Sequence, residues 1–144
     1  MLRAVADTNT VISGLLYRGR EHDLLEAARD GRIALRTSTV LLAELADVLP
    51  RAKFALRIAA ADMSVARIAR RYARLAPRVV PAKISLGVPG DPDDDAVLAC
   101  ALAAAADLIV SGDKRLRNLK SWQRIPIVSA GEALEIVARQ SARG

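Results

Sequence analysis

The chain has 144 residues, of which 52% are hydrophobic and 26% charged, so we expect one folded domain over 1–144 rather than a disordered or fibrous chain. Its single cysteine and single histidine are too few to assemble a zinc site or a Cys–His nucleophile pair easily, which excludes several classes of enzyme. No secretory signal and no uncharged apolar run of about 18 residues is present, so we expect a cytoplasmic protein, not a membrane protein.

The first half of the chain alternates predicted strands with predicted helices. Strands are expected near 3–7 and 33–37, and helices near 11–16, 21–30 and 39–49. Gly31 is placed to end the second of these helices and Ser38 to cap the third. Arginines alternate with apolar residues over 57–75, which indicates one surface helix or a broken pair of helices. The Pro- and Gly-rich stretch 76–92 is predicted to be an extended connection with a short strand near 79–80.

The second half predicts the rest of an open sheet. The helix "DDAVLACALAAAA" is apolar nearly all round, so it is expected to pack flat against a sheet. The continuous aliphatic segments "DLIVSGD" and "IPIVS" are typical of parallel strands covered on both faces. Ser129 and Glu132 form a capping box for the last helix. These elements predict a three-layer α/β/α domain, with a Rossmann-like open, parallel central sheet of four to five strands.

The distribution of charge indicates a polyanionic partner. Nine basic residues lie between Arg51 and Lys83 with Asp62 as the single acid, and five more lie between Lys114 and Arg124 with none. Four of the 16 acids are crowded into residues 91–95. Basic surfaces around a compact acidic cluster favour nucleic acid held over a cation site, although each basic helix face taken alone could be merely solvated.

Individual acids occupy positions where an open sheet binds ligands. Asp7 ends the first strand and Asp113 follows the strand "LIVSG", so both are expected in the crevice beyond the carboxyl ends of the strands. Glu44 lies in the helix after the second strand, and Asp95 lies in the first turn of the alanine-rich helix. Asp113 could instead be a turn residue, Asp95 a helix-start acid and Glu44 a surface acid. Asp7 fits such an explanation least, because a buried carboxylate is costly.

If these four acids converge, a cation is required between them. Two like charges about 4 Å apart repel by roughly 4 kcal/mol at an effective dielectric constant of about 20. Oxygen ligands without His or Cys select hard ions, so the expected metal is Mg²⁺ or Mn²⁺. The number of ions, one or two, is left open.

The segments "AVADTNTVISGLL", "STVLLAELADVLPRAKF" and "GDPDDDAVLACALAAAADLIVSGDKRL" together resemble the PIN-domain family, over Val5 to about Leu134. They are most similar to bacterial PIN proteins that are grouped as toxins of toxin–antitoxin pairs, relatives of the VapC-type toxins. The family's acid, Thr and Asn after the first strand correspond to Asp7, Thr8 and Asn9. Its three other acids correspond to Glu44, Asp95 and Asp113, with Asp94 able to replace or assist Asp95. Thr10 departs from the aliphatic residue usual in the family.

The resemblance implies a Mg²⁺- or Mn²⁺-dependent ribonuclease, frequently a homodimer, that is silenced by a partner antitoxin. Asn9 or Ser111 would orient a ligand carboxylate or a water, although each could equally be a capping or turn residue. The RNA backbone would be bound electrostatically by basic residues of two segments: Arg51, Lys53, Arg57, Lys114, Arg115 and Arg117.

Three other functions compete with a toxin. The protein could bind RNA or a partner while its acidic site is vestigial, or it could be a housekeeping RNA-processing nuclease. An Asp at the end of the first strand is also the nucleophile of doubly wound phosphatases, but those enzymes generally have a second acid two residues later, where this chain has Asn9.

Overall fold

The computed structural model describes residues 1–81 and 92–143, and all of their side chains except those of 52, 92–94 and 141–143. The elements are, in chain order, β1 (Arg3–Ala6), α1 (Thr8–Leu16), α2 (Arg20–Arg29), β2 (Ala34–Arg36), α3 (Thr39–Val48), α4 (Ala52–Ala60), α5 (Val65–Leu75), α6 (Pro92–Ala103), β3 (Leu108–Val110), α7 (Lys114–Asn118), β4 (Ser121–Trp122), β5 (Ile125–Val128) and α8 (Ala130–Arg143). None of the helices in these described ranges has the length and apolar character that a membrane crossing requires.

The five strands form one sheet in the order β2-β1-β3-β5-β4. β2, β1, β3 and β5 are parallel, and only the edge strand β4 runs antiparallel to its neighbour. Short parallel strands joined through helices confirm the predicted open α/β sheet, which is mixed rather than wholly parallel.

Side chains alternate between the two faces of the sheet, and both faces are covered. Ala4 and Ala6 of β1 belong to a core with residues of α1, α2, α5 and α8, whereas Val5 between them belongs to a second core with α6. The same alternation holds in β3, because successive strand residues point to opposite faces. In α6 the five residues Val97–Ala101 are all buried, which confirms the helix predicted to pack flat. The result is the predicted three-layer arrangement.

Local sequence signals account for most of the boundaries. The Ser38 hydroxyl accepts from the Leu41 N–H at 3.2 Å, and Ser129 and Glu132 make the two reciprocal hydrogen bonds of a capping box. Gly31 has a φ of +77° just after α2, a conformation that glycine adopts without strain. Of the two alternatives for 57–75, the broken pair of helices is correct. The helices α4 and α5 are separated by a turn that contains Asp62, whose φ is +52°.

Three local features differ from the sequence prediction. The short strand near 79–80 is not formed; Arg78 instead makes a single parallel bridge to Thr37. The helix α7 and the strand β4 were not expected. β4 pairs with β5 through a two-residue turn, Gln123 and Arg124, which both have positive φ. Such turns are usually recognised by Asn-Gly or Asp-Gly, and neither pair is present here. Residues 82–91 of the predicted connection lie outside the described residues.

Candidate active site

The crevice of the sheet lies between β1 and β3. After β1 the chain continues to β2, which lies on the side of β1 away from β3. After β3 it continues to β4 and β5, which lie on the side of β3 away from β1. The connections therefore leave the carboxyl ends of β1 and β3 in opposite directions, and open α/β sheets bind ligands at such a point. Asp7 and Ser111, which directly follow these strands, are neighbours because Ala6 pairs with Val110.

Asp7 is 9% exposed and is held at both carboxylate oxygens. Oδ1 accepts from the Thr10 N–H at 2.9 Å, so Asp7 caps α1, a role that the sequence interpretation did not include. Oδ2 accepts from the Ser111 hydroxyl at 2.5 Å. Both donors are neutral, and no cation of the described residues forms an ion pair with Asp7. Asp7 is thus a buried carboxylate without a countercharge from the described part of the chain.

Asp113 is joined to Asp7 through Ser111. The fully buried Ser111 hydroxyl accepts from the Asp113 N–H at 3.0 Å, so it connects the ends of β1 and β3. The half-buried Asp113 carboxylate caps α7, accepting from the Arg115 N–H at 2.8 Å and from its guanidinium at 3.1 Å. These two hydrogen bonds lower the pKa of Asp113, and the charges of Arg115 and Arg117 add to the effect. Asp7, Ser111 and Asp113 therefore form one connected group.

Asp95 belongs to the first turn of α6. Four residues separate the end of α6 from β3, and α6 packs on β1 and β3, so the helix begins near the carboxyl edge of the sheet. The Oδ1 atom of Asp95 is buried and has no hydrogen-bond partner within the described part of the chain. The side chain of Asp94 lies outside the described residues, so the choice between the two acids stays open. Glu44 is half-buried in the middle of α3.

The described side chains match a hard cation in chemistry, but they do not themselves form a complete metal site. Among the described side chains of residues 1–81 and 95–140, no three of Asp, Glu, His or Cys gather closely enough to hold an ion. The available donors are carboxylate and hydroxyl oxygens, which suit Mg²⁺ or Mn²⁺. The buried, unpartnered oxygen of Asp95 and the uncompensated charge of Asp7 both favour a cation. That these acids share an ion stays a prediction.

Thr8 and Asn9 follow Asp7 in different environments. Thr8 is buried, and its hydroxyl has no partner among the side chains and backbone that the structure describes. Asn9 is exposed and lies on a small cavity whose other lining residues are Thr10, Ser13, Glu21, Gly112 and Asp113. Glu21 and Ser13 were not predicted as site residues, because an acid in the first turn of a helix and a serine within one look ordinary in a sequence.

Tyr72 is a second residue that the sequence did not single out. Tyr72 lies at helical spacing from the apolar side chains of α5 and is buried. Its hydroxyl has no hydrogen-bond partner in the described residues. Burial raises the pKa of Tyr72, with further contributions from Cys100 and Asp7, so this hydroxyl lies within the field of the site. Burial also raises the pKa of Cys100 to about 11, although a hydrogen bond with Ser38 offsets part of the rise.

The predicted RNA-binding residues fall into two groups. Arg51, Lys53 and Arg57 lie at α4, whereas Lys114, Arg115 and Arg117 lie on α7 directly after Asp113. Arg57 has contacts within the fold, because its Nε donates to the Leu16 carbonyl at 2.6 Å and its guanidinium lies 5.5 Å from the Tyr17 ring centre.

The α7 group adjoins the acids. Arg115 pairs with Asp113, and the buried Nε of Arg117 has no hydrogen-bond partner in the described structure. Of the two predicted RNA-binding groups, the α7 group is therefore the one that contacts an acid of the candidate site.

Comparison with known proteins identifies the family. The sequence matches the PIN domain over residues 3–115, a range that includes Asp7, Glu44, Asp95 and Asp113. Comparison with curated proteins gave no match, and comparison with solved structures gave none. PIN domains are generally nucleases that act on nucleic acid and use divalent metal ions. Since the match covers more than half of the chain and agrees with its sheet, this protein belongs to the PIN domain family.

Proposed function

We propose that the protein is a Mg²⁺- or Mn²⁺-dependent endoribonuclease whose catalytic acids are Asp7, Glu44, Asp95 and Asp113. The observation that carries the proposal is the buried Asp7 carboxylate at the β1–β3 crevice, whose hydrogen-bond donors among the described residues are both neutral. Burying an anion without a countercharge is costly, so a cation bound beside it would offset that cost. Because PIN domains are generally nucleases, the function proposed for such an ion is the hydrolysis of RNA phosphodiesters.

The residues at and around the connected group have distinct roles in this proposal. A bound divalent ion would activate a water molecule and neutralise charge on the phosphate oxygens. Ser111 holds the Asp7 carboxylate in one orientation, and Asp113 is fixed by the same hydroxyl. Asp95 offers its unpartnered oxygen as a further ligand. Thr8 and Asn9 support Asp7 from the start of α1, with Asn9 orienting a carboxylate or a water.

The basic residues of α7 supply the electrostatic part of RNA binding. Lys114, Arg115 and Arg117 directly follow Asp113, so a phosphate beside the acids would lie within their reach. Arg51 and Lys53 extend the basic surface on α4. Binding of this kind releases counterions, so affinity falls steeply as salt rises.

The biological role we infer is that of the toxin in a type II toxin–antitoxin pair, in the cytoplasm and as a homodimer. The support is the similarity of its three motif segments to VapC-type toxins. A short reading frame for an antitoxin beside the gene is the expected observation. Its absence would favour a housekeeping RNA-processing nuclease with the same chemistry.

The catalytic assignment is tested by RNA cleavage in the presence of Mg²⁺ or Mn²⁺. Asp7→Asn is informative because Asn also caps helices, so the charge changes while the cap is kept. Asp7→Asn and Asp95→Asn should each lower the cleavage rate by more than about 100-fold, since even outer-shell partners of metal ligands contribute 10- to 100-fold. The matched control is Asp47→Asn, an exposed acid of α3, which should cleave normally. Equal rates for all the proteins would reject the assignment.

One observation favours the alternative of an RNA- or partner-binding module. The described side chains contain no group of three acids close enough for a metal. If the site is vestigial, calorimetry should detect no heat of Mn²⁺ binding, while RNA should still bind without being cut. Heat of Mn²⁺ binding that disappears in Asp7→Asn would favour the nuclease.

A further inference from the structure

A cavity of about 290 Å³ adjoins the connected group of acids. Its lining consists of Asn9, Thr10, Ser13, Glu21, Gly112 and Asp113. The volume is near the lower end for sites that bind small molecules, so there is room for one small ring system. Asp113 belongs both to this cavity and to the candidate active site, so a molecule in the cavity would lie beside the reacting phosphate.

Close packing of α1 against the start of α2 builds the cavity. Asn9 and Ser13 are four residues apart in α1 and so lie on the same face of the helix. Gly14 permits the approach of α2, because a Cβ at this position would lie 2.7 Å from the Glu21 carbonyl oxygen. Gly19, with a φ of +149°, turns the chain into α2 in a conformation that other residues rarely adopt. These two glycines bring Glu21 to the cavity that Asn9 and Ser13 also line.

Glu21 determines which chemical groups the cavity accepts. It is half-buried, and no cation or hydrogen-bond donor of the described residues engages its carboxylate. The other carboxylate on the cavity, that of Asp113, is already paired with Arg115, so Glu21 is the acid of the described lining that is open to an occupant. A carboxylate only accepts hydrogen bonds, so the cavity favours an occupant that presents N–H donors.

We propose that this cavity binds a guanine base of the RNA next to the cleaved phosphate, and that Glu21 is the specificity-determining residue. This inference rests on the proposed nuclease function and adds a substrate class to it. Guanine presents two parallel donors, N1–H and the N2 amino group, which match the two oxygens of a carboxylate. On the same Watson–Crick edge, adenine, cytosine and uracil each present a single donor group. Bases unstacked from single strands are commonly read on this edge by hydrogen bonds.

The other lining residues complete the recognition. The Asn9 amide and the Ser13 hydroxyl can donate to guanine O6 and N7, which are both acceptors. The described lining of the cavity contains no aromatic residue. Recognition there consequently relies on hydrogen bonds more than on stacking.

The test measures RNA affinity by fluorescence anisotropy with EDTA present, so that cleavage does not contribute. The probes are short oligouridines that carry guanine, inosine or adenine at one internal position. Wild-type protein should prefer guanine over adenine by about 10- to 100-fold, as expected for a two-hydrogen-bond base contact. Inosine, which lacks the N2 amino group, should bind with intermediate affinity. Glu21→Gln and Glu21→Ala should bind guanine and adenine equally.

Asp23→Asn is the matched control, because Asp23 is an exposed acid in the same first turn of α2. It should keep the full preference for guanine. Circular dichroism of all variants shows whether each is folded. Equal wild-type affinity for the three probes, or no measurable binding to any of them, would overturn the inference. Loss of Mn²⁺ binding in Glu21→Gln with an unchanged base preference would overturn it too, because Glu21 would then be a cation ligand.

The outcomes separate this inference from the nuclease proposal. A guanine preference that depends on Glu21 in a protein that cuts no RNA would contradict the nuclease function and leave the base site standing. Cleavage that depends on Asp7 but occurs with equal rates next to every base would contradict only the guanine site.

Discussion

Ser111 donates its hydroxyl hydrogen to Asp7 Oδ2 over 2.5 Å, across the two adjacent strands β1 and β3. The Ser111 hydroxyl oxygen also accepts from the Asp113 N–H at 3.0 Å, so one hydroxyl holds both acids that follow these strands. The partners are 104 residues apart in the chain and meet only because β1 and β3 are neighbours in the sheet. The orientation of the candidate catalytic acids therefore depends on a neutral residue.

Ser111→Ala should destabilise the protein by about 1–3 kcal/mol, because it leaves a buried carboxylate oxygen and a backbone N–H without their partner. Urea denaturation followed by circular dichroism measures the loss. Ser121→Ala, which changes an exposed serine of β4, should leave the free energy of unfolding nearly unchanged. Equal stability of the two variants would show that the Ser111 hydroxyl contributes nothing.

The pKa of Asp113 should rise in Arg115→Ala, because the guanidinium that stabilises its charged form is removed. Part of the lowering should remain, since the backbone N–H of residue 115 still donates. Carboxyl ¹³C shifts of the metal-free protein, recorded against pH, measure the change. Lys114→Ala is the control and should leave the pKa of Asp113 unchanged. An unchanged pKa in Arg115→Ala would contradict the observed ion pair.

The lowered pKa of Asp113 makes the stability of the folded protein depend on pH. The pKa of Asp113 is lower in the folded than in the unfolded protein, so its ionisation stabilises the fold above the unfolded value of about 3.9. This contribution is lost as the pH falls through the folded pKa. Arg115→Ala should reduce the loss of stability on acidification within that window.

Tyr72→Phe should raise the stability by about 1 kcal/mol, because a buried hydroxyl without a partner carries an uncompensated desolvation cost. Tyr72→Ala should instead lower it by about 3–5 kcal/mol, since it leaves a cavity in the core. Thermal unfolding distinguishes these opposite signs. A clear loss in Tyr72→Phe would mean that the hydroxyl is bonded, for instance to a buried water.

Gly14→Ala should lower the stability by about 1–3 kcal/mol, although alanine is the better helix former. The added Cβ would lie 2.7 Å from the Glu21 carbonyl oxygen and 2.7 Å from a methyl carbon of Leu25, so α2 must shift. Gly131→Ala in α8 is the matched helical control, because its nearest atoms are 3.9 Å away. That control should stabilise by about 0.5–1 kcal/mol. Denaturant midpoints with unchanged slopes provide the comparison.

Arg57→Ala should cost about 1–2 kcal/mol, because the guanidinium both bonds the end of α1 and contacts the Tyr17 ring. Arg51→Ala, a change of an exposed residue just before α4, should have no such effect on stability. RNA affinity measured on both variants separates packing from binding. If Arg57→Ala weakens RNA binding without destabilising the protein, its contacts within the fold are unimportant.

Much of the fold could be predicted because its signals are local. Aliphatic strands, the Ser38 cap and the Ser129–Glu132 capping box depend on residues near one another in the chain, and the structure contains them. The hairpin that forms β4 could not be predicted, because Gln123 and Arg124 adopt positive φ without a glycine to signal it. The edge strand β4 is stabilised by its pairing with β5, and β5 is itself held in the sheet by β3.

The sequence by itself determined the chemical identity of the site: acids after two strands, a chain with almost no His or Cys, and basic residues following Asp113. The tertiary structure alone decided which of them are connected. It joined Asp7 to Asp113 through Ser111, left the Asp95 oxygen buried without a partner in the described chain, and set Glu21 beside Asn9 and Ser13. The physical reason is that charge and hydrogen-bonding type belong to each residue, whereas burial and proximity arise only when strands pair and helices pack.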